Sequence, residues 1–254
     1  MVVETWQWWV LHIAALLMGV SKTGVPGIAI LGVALFANVF EDVRQATGLV
    51  LPLLIAGDVV AVAMWRRQVC WGYFWRLFPW AMAGVVVGYF ALRHLAGNEV
   101  KVMTGVIVTV LILVHISRRW RERGQTGQAG DADAPRTKAW LAPLMGTLAG
   151  FTTLVANAAG PLTSIFFLAV RLPKKEFVGT GAVFFMILNG FKVPFMVHLG
   201  LIHSGSLRLN VWLLPAVLAG AFAGRWVLVR INQVVFEKLV LALGLLAGLK
   251  LALG

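Results

Sequence analysis

Five polar side chains lie inside stretches that are otherwise apolar, and their types suit a small anion. Lys22 falls in the run Gly19-Val20-Ser21-Lys22-Thr23-Gly24-Val25-Pro26-Gly27, and Asp58 lies midway along 44–65. Asn157 falls in Ala156-Asn157-Ala158-Ala159-Gly160-Pro161, while Asn189 and Lys192 are one helical turn apart within 176–198. Two ammonium groups against one carboxylate leave a surplus positive charge. A charge at mid-bilayer costs about 2.5–3.5 kcal/mol on insertion scales, so a surplus there needs a purpose. An anion supplies one. The expected contacts are Lys22, Lys192, Asn157 and Asn189, with Ser21, Thr23, Gly24 and Gly160 beside them. Asp58 is left for charge balance or ion coupling. Thr152, Thr153, Thr163 and Ser164 add hydroxyls nearby, although such hydroxyls in membrane helices often bond their own backbone.

The elements that must position these groups are membrane segments. Of the 254 residues, 60% are hydrophobic and 13% charged, with a mean hydropathy of +0.86. A soluble domain carries about 25% charged residues, so this chain cannot cover itself with a wet surface. Six stretches read as full spans: 44–65, 72–92, 98–117, 176–198, 209–229 and 233–252. Two others break. Leu11–Gly19 and Leu144–Gly150 run apolar, stop at Ser21–Gly27 and Asn157–Pro161, and resume for too few residues to cross. The ranges 6–38 and 140–170 therefore read as re-entrant hairpins whose tips are buried in protein or line a wet cavity. The helices following Gly27 and Gly160 point free N–H groups and positive dipole ends at those tips, which also favours an anion.

The net charge of +12 does not point to nucleic acid, because Lys and Arg gather at span ends and in loops, with no aromatic-interleaved patch. Arg66-Arg67, the run 118–123 with Arg136 and Lys138, and Arg171 with Lys174-Lys175 mark cytoplasmic loops. Loops 39–43, with Glu41 and Asp42, and 199–207 face out. Trp65, Trp71, Trp75, Trp120, Trp212 and Trp226 cluster at span ends as an interfacial belt. The one cysteine, Cys70, excludes an internal disulfide and any multi-thiolate cluster.

The chain also repeats itself. Leu77-Phe78-Pro79 is followed by Ala83-Gly84 and Gly88; Leu213-Leu214-Pro215 is followed at the same spacing by Ala219-Gly220 and Gly224. Each is a small-residue face that serves internal packing or a homodimer equally well. Asp58 and Asn189 fall at equivalent depths. The expected architecture is all-α and polytopic, with two inverted repeats, each a broken hairpin plus three transmembrane helices. The first occupies 1–120 and the second 139–254, joined by a flexible, Gly-rich cytoplasmic linker at 121–138.

These runs, together with Leu51-Pro52, Gly150-Phe151-Thr152-Thr153, Phe177-Val178-Gly179-Thr180 and Lys192-Val193-Pro194, resemble the sulfite exporter family of the TauE/SafE type over almost the whole length. The Ser-Lys-Thr-Gly and Ala-Asn-Ala-Ala-Gly-Pro stretches are similar to one branch of it. The resemblance implies export of sulfite, a sulfonate or a related sulfur oxyanion across the bacterial inner membrane, driven by ion gradients or the membrane potential.

The leading expectation is thus a secondary transporter exporting a small anion by alternating access. An anion channel is the second class and flux rates separate the two. An enzyme is the third: Ser21 as nucleophile would need His12, His198 or His203 as base, and none shares a motif with it. No Walker motif or metal-ligand cluster occurs, so no cofactor is expected.

Overall fold

A computed structural model describes residues 4–40, 43–94, 102, 105–107, 109–110, 112–113 and 139–253. The linker 121–138, the basic run 118–123, Trp120, Glu41 and Asp42 lie outside the described residues, as does most of the expected span 98–117. The described parts of that span are helical.

The described residues fold into an all-helical polytopic structure. Its main elements are α1 (Thr5–Thr23), α2 (Ile28–Val39), α3 (Val43–Trp65) and α4 (Trp71–His94), then α5 (Leu141–Ala156) and α6 (Ala159–Ala169). They continue with α7 (Lys174–His198), α8 (Ser204–Arg230) and α9 (Gln233–Leu253). Among the described residues four segments are long and apolar enough to cross a bilayer: Ala46–Gln68, Trp71–His94, Lys174–His198 and Gly205–Arg230. The α9 helix has 21 residues and carries Glu237 and Lys238 in its second turn and Lys250 near its end.

The two short helices behave as their lengths dictate. With 12 and 11 residues, α2 and α6 reach about 18 and 17 Å, against a hydrocarbon core of about 30 Å. Each folds back on a partner, α2 on α1 and α6 on α5. The breaks are shorter than the sequence suggests. Ser21, Lys22 and Thr23 remain helical, with the Gly24 N–H donating to the Val20 carbonyl at 2.9 Å. Only Gly24–Gly27 leaves the helix, and Gly27 takes φ +104°, a conformation that only glycine adopts freely. In the second hairpin only Asn157 and Ala158 separate the helices. Ala159, Gly160 and Pro161 already form the first turn of α6, where proline has no needed N–H to lose.

The helices pack crosswise between the halves. Arm α1 lies against α8, arm α5 against α4, and α3 against α7. Glycine sets the closeness of the first two contacts. A Cβ on Gly19 would collide with the backbone of Val217 and Ala221, and one on Gly150 with Ala81 and Val85. Reciprocally, Gly220 faces Leu16 and Gly224 faces Val20, while Gly84 faces Thr147 and Gly88 faces Phe151. Leu16 and Thr147, Gly19 and Gly150, and Val20 and Phe151 are all separated in sequence by the same interval, 131 residues, as Asp58 and Asn189. The small-residue faces are therefore used inside the chain.

Charged loops gather at one end. The Cys70 N–H donates to Thr180 Oγ1 at 2.9 Å and its Sγ lies 3.0 Å from Glu176 Oε2. The Lys174 ammonium donates to the carbonyls of Leu228 and Ile231, closing the free end of α8. At the opposite end Gly48 packs on Leu201. Trp71, Trp75, Trp212 and Trp226 are exposed, as a lipid-interface belt requires, but Trp65 is buried under Arg225, whose guanidinium lies 5.7 Å from its ring.

Candidate functional site

Where the two hairpin tips approach α3 and α7, a cavity of about 680 Å³, its open mouth included, remains unfilled. Its polar wall carries Ser21, Lys22, Asp58, Asn157 and Asn189. The first turns of both short helices, at Gly27 and Gly160, open onto it. The other wall is apolar, with Leu54, Phe167, Phe177 and Phe185 prominent. Along α7 the lining runs from Phe177 to Asn189 and stops before Lys192.

A single chain of polar contacts organises the polar wall. Lys22 Nζ lies 2.6 Å from Asp58 Oδ1. Asn189 Nδ2 donates to the other carboxylate oxygen at 2.6 Å. Asn189 Oδ1 in turn accepts from Lys192 Nζ at 3.2 Å. Lys192 also donates to Asn157 Oδ1 at 2.7 Å and Thr153 Oγ1 at 3.1 Å, so all three ammonium donors have acceptors. Finally, Asn157 Nδ2 donates to the Thr47 carbonyl at 3.1 Å. Four helices, α1, α3, α5 and α7, are tied together by these groups.

Burial gives the chain its weight. Asp58 and Lys192 are fully buried and Lys22 is about one-tenth exposed. Removing one partner from a buried ion pair strands a charge at a cost of about 3–5 kcal/mol. The Lys22 ammonium also lies 4.9 Å from the centre of the Phe185 ring, an attraction that leaves it facing the cavity.

Local backbone explains the choice of Asn at the second tip. Asn157 ends α5 with φ +51°, a left-handed cap that asparagine tolerates better than most residues. Its N–H and that of Ala158 close the helix on the Thr153 and Thr152 carbonyls. One residue thus turns the chain and presents its amide to Lys192.

Besides Thr153, Thr163 and Ser164, which also line it, six of the nine expected site residues meet at the cavity: Ser21, Lys22, Asp58, Asn157, Gly160 and Asn189. Three do not. Lys192 sits behind the wall, Thr23 spends its hydroxyl on the Ala221 carbonyl, and Gly24 packs on Gly224. Thr152 and Thr163 bond carbonyls of their own helices. Sequence reasoning missed the aromatic wall and the Thr47 carbonyl, since a phenylalanine in an apolar run and a backbone oxygen carry no distinguishing signal. Among the described residues no histidine lines the cavity that holds Ser21; His12 instead contacts the Trp8 carbonyl at 2.8 Å through Nδ1.

Comparison with known proteins adds the family. No curated protein and no solved structure matched the chain. A family model described as "Sulfite exporter TauE/SafE" matches residues 11–251, nearly the whole length. Together with its apolar helices, this match identifies the chain as a member of the TauE/SafE sulfite exporter family, membrane transporters of sulfur anions.

Proposed function

We propose that the protein exports a small anion, sulfite or an organosulfonate, across the bacterial inner membrane by alternating access, with the cavity at the hairpin tips as the binding site. One observation carries this reading. The cavity combines a buried Lys22 ammonium with the N-terminal turns of α2 and α6, three positive features facing one space. With Lys192 behind Asn157 and Asn189, the cluster holds two ammonium groups and one carboxylate, and a bound monoanion balances it.

Within this reading the residues have distinct tasks. Lys22 meets the anion and exchanges Asp58 for it. Lys192 acts through the two asparagines, holding their amides in place and adding its field without touching the ligand. Asp58 takes back Lys22 when the anion leaves, or carries a proton in its place. The apolar wall of Phe167, Phe177 and Phe185 excludes bulk water and strengthens each charge interaction.

Alternating access needs two halves that rock about the site. Crosswise packing of α1 on α8 and α5 on α4, at one repeated interval, supports two inverted repeats, 1–120 and 139–254. Basic loops 66–67 and 171–175 come to one end, which supports their common cytoplasmic placement. The cavity runs from mid-chain Asn189 toward that end of α7, which supports an inward-facing state.

Energetics allow this direction without ATP. Moving one negative charge out of a cell that is negative inside is favoured by about 2.3 kcal/mol per 100 mV. The test is sulfite efflux from proteoliposomes under such a potential. Saturable efflux that depends on the protein supports a transporter; unitary currents in planar bilayers would identify a channel instead.

A further inference from the structure

We propose that the first turns of α6 form the seat for the anion's oxygen atoms, with Ser164 as a donor and the bare backbone at Gly160 as the opening through which they reach the helix start. This rests on the anion-transport reading above and deepens it. The α6 residues on the cavity are Gly160, Thr163, Ser164 and Phe167, one face of the helix.

Glycine in a helix needs a reason, because it costs more conformational entropy on folding than any other residue. Two reasons fail at Gly160. Its backbone is helical, and the glycines with positive φ among the described residues are Gly27 and Gly200. Nor does packing demand it: chain neighbours aside, a Cβ there would meet nothing within 4 Å among the described residues. Gly19, Gly84, Gly150 and Gly220 are the opposite case, each pressed against backbone. Of the cavity glycines, Gly181 already has Phe167 at 3.7 Å from its Cβ direction. Gly160 also precedes Pro161, where a helical residue is eased by having no Cβ, and the same bareness leaves the N–H groups of the helix start open to a ligand on the cavity side.

Ser164 is the second, independent sign. It is 3% exposed, and its hydroxyl has no protein partner among the described residues. A serine at this depth ordinarily turns its hydroxyl back to the carbonyl four residues earlier, here Gly160. That carbonyl already accepts from Thr163 Oγ1 at 3.0 Å. Ser164 makes no such bond among the described residues, and it lines the cavity one turn from the open space at Gly160. Ordered this way, the helix start and Ser164 grip the oxygens of a compact oxyanion, and any organic body extends toward the apolar wall.

The test is binding of sulfite, methanesulfonate and benzenesulfonate to detergent-purified wild type, Gly160→Ala, Gly160→Val and Ser164→Ala. Ser164→Ala is expected to weaken all three by about tenfold or more, as loss of a hydrogen bond to a charged group does. Gly160→Ala and Gly160→Val are expected to weaken all three probes, valine more than alanine, because a Cβ comes between the oxygens and the helix start. Unfolding temperatures close to wild type would exclude misfolding in the Gly160 variants, where a Cβ precedes Pro161, and Ser164→Ala, which leaves that backbone untouched, decides the test if either variant unfolds. Wild-type affinity in Gly160→Val or in Ser164→Ala would overturn the seat while leaving the transport reading intact. Wild type that binds none of the probes would overturn both.

Discussion

Asp58 and Asn189, 131 residues apart in the chain, meet in a 2.6 Å hydrogen bond at the centre of the polar wall. The same interval relates Gly19, which seats α1 on α8, to Gly150, which seats α5 on α4. On the proposed repeat, one position carries a carboxylate in the first half and an amide in the second. The carboxylate takes Lys22 as partner, and the amide passes its other end to Lys192. Asp58→Asn keeps a polar group at that point but releases Lys22 from its ion pair. Sulfite affinity is then expected to rise, because the anion no longer competes with a carboxylate for the ammonium. Calorimetric titration checks this, and a lost or unchanged affinity would contradict it.

Asn157 does two jobs that substitution can separate. Asn157→Gly keeps the left-handed cap and removes the amide held by Lys192 and the Thr47 carbonyl. Asn157→Ala removes the amide and strains the turn as well. Both are expected to slow efflux. Only the alanine variant is expected to lose the further stability of the cap, about 1 kcal/mol. Thermal unfolding of the two variants side by side reads the difference.

The glycine seats give a third expectation. Gly19→Ala and Gly150→Ala force a methyl into facing backbone, and each is expected to cost about 1–3 kcal/mol. Gly72→Ala, where a Cβ meets nothing within 4 Å, serves as the control and is expected to be neutral or slightly stabilising. Unfolding by heat in one detergent compares the three. Equal stability of all four proteins would mean the helix contacts are looser than described.

Cys70 reports on the loop end. Burial, reinforced by the hydrogen bond and charge of Glu176, pushes its thiol up to about 11. The group is therefore protonated at neutral pH, and its thiolate fraction there is about a hundredfold below that of a thiol at the ordinary 9.0. Maleimide labelling is expected to be slow at pH 7 and to accelerate steadily until pH passes about 11. Glu176→Gln removes the neighbouring negative charge, so its labelling curve is expected to shift to lower pH. Labelling from the cytoplasmic side alone is expected in oriented vesicles. Reaction from the outside only would reverse the proposed topology.

Much of this was legible in the residues themselves. Lys22, Asp58, Asn189 and Lys192 stood out because a charge or amide in an apolar run is too costly to be incidental. Gly27 and Asn157 marked the turns because few residues tolerate left-handed backbone. The limits of the breaks were not legible. Ser21–Thr23 reads as a breaker cluster, yet it stays helical because the Thr23 hydroxyl bonds Ala221 on α8 and Gly24 caps α1. That bond exists only once α8 is in place. The same holds for Trp65, buried beneath Arg225 when α8 docks. Tertiary partners decide which polar group is spent and which is available.

The central claim is that an anion sits beside Lys22 at the meeting of the hairpin tips. Lys22→Ala alone would strand Asp58, so the decisive protein is Lys22→Ala/Asp58→Asn, which removes the buried pair together. Thermal unfolding with and without sulfite measures binding directly. Wild type is expected to gain about 2.7 kcal/mol at a hundredfold excess over the dissociation constant, and the folded double variant almost none. Equal stabilisation of both by sulfite would place the anion elsewhere.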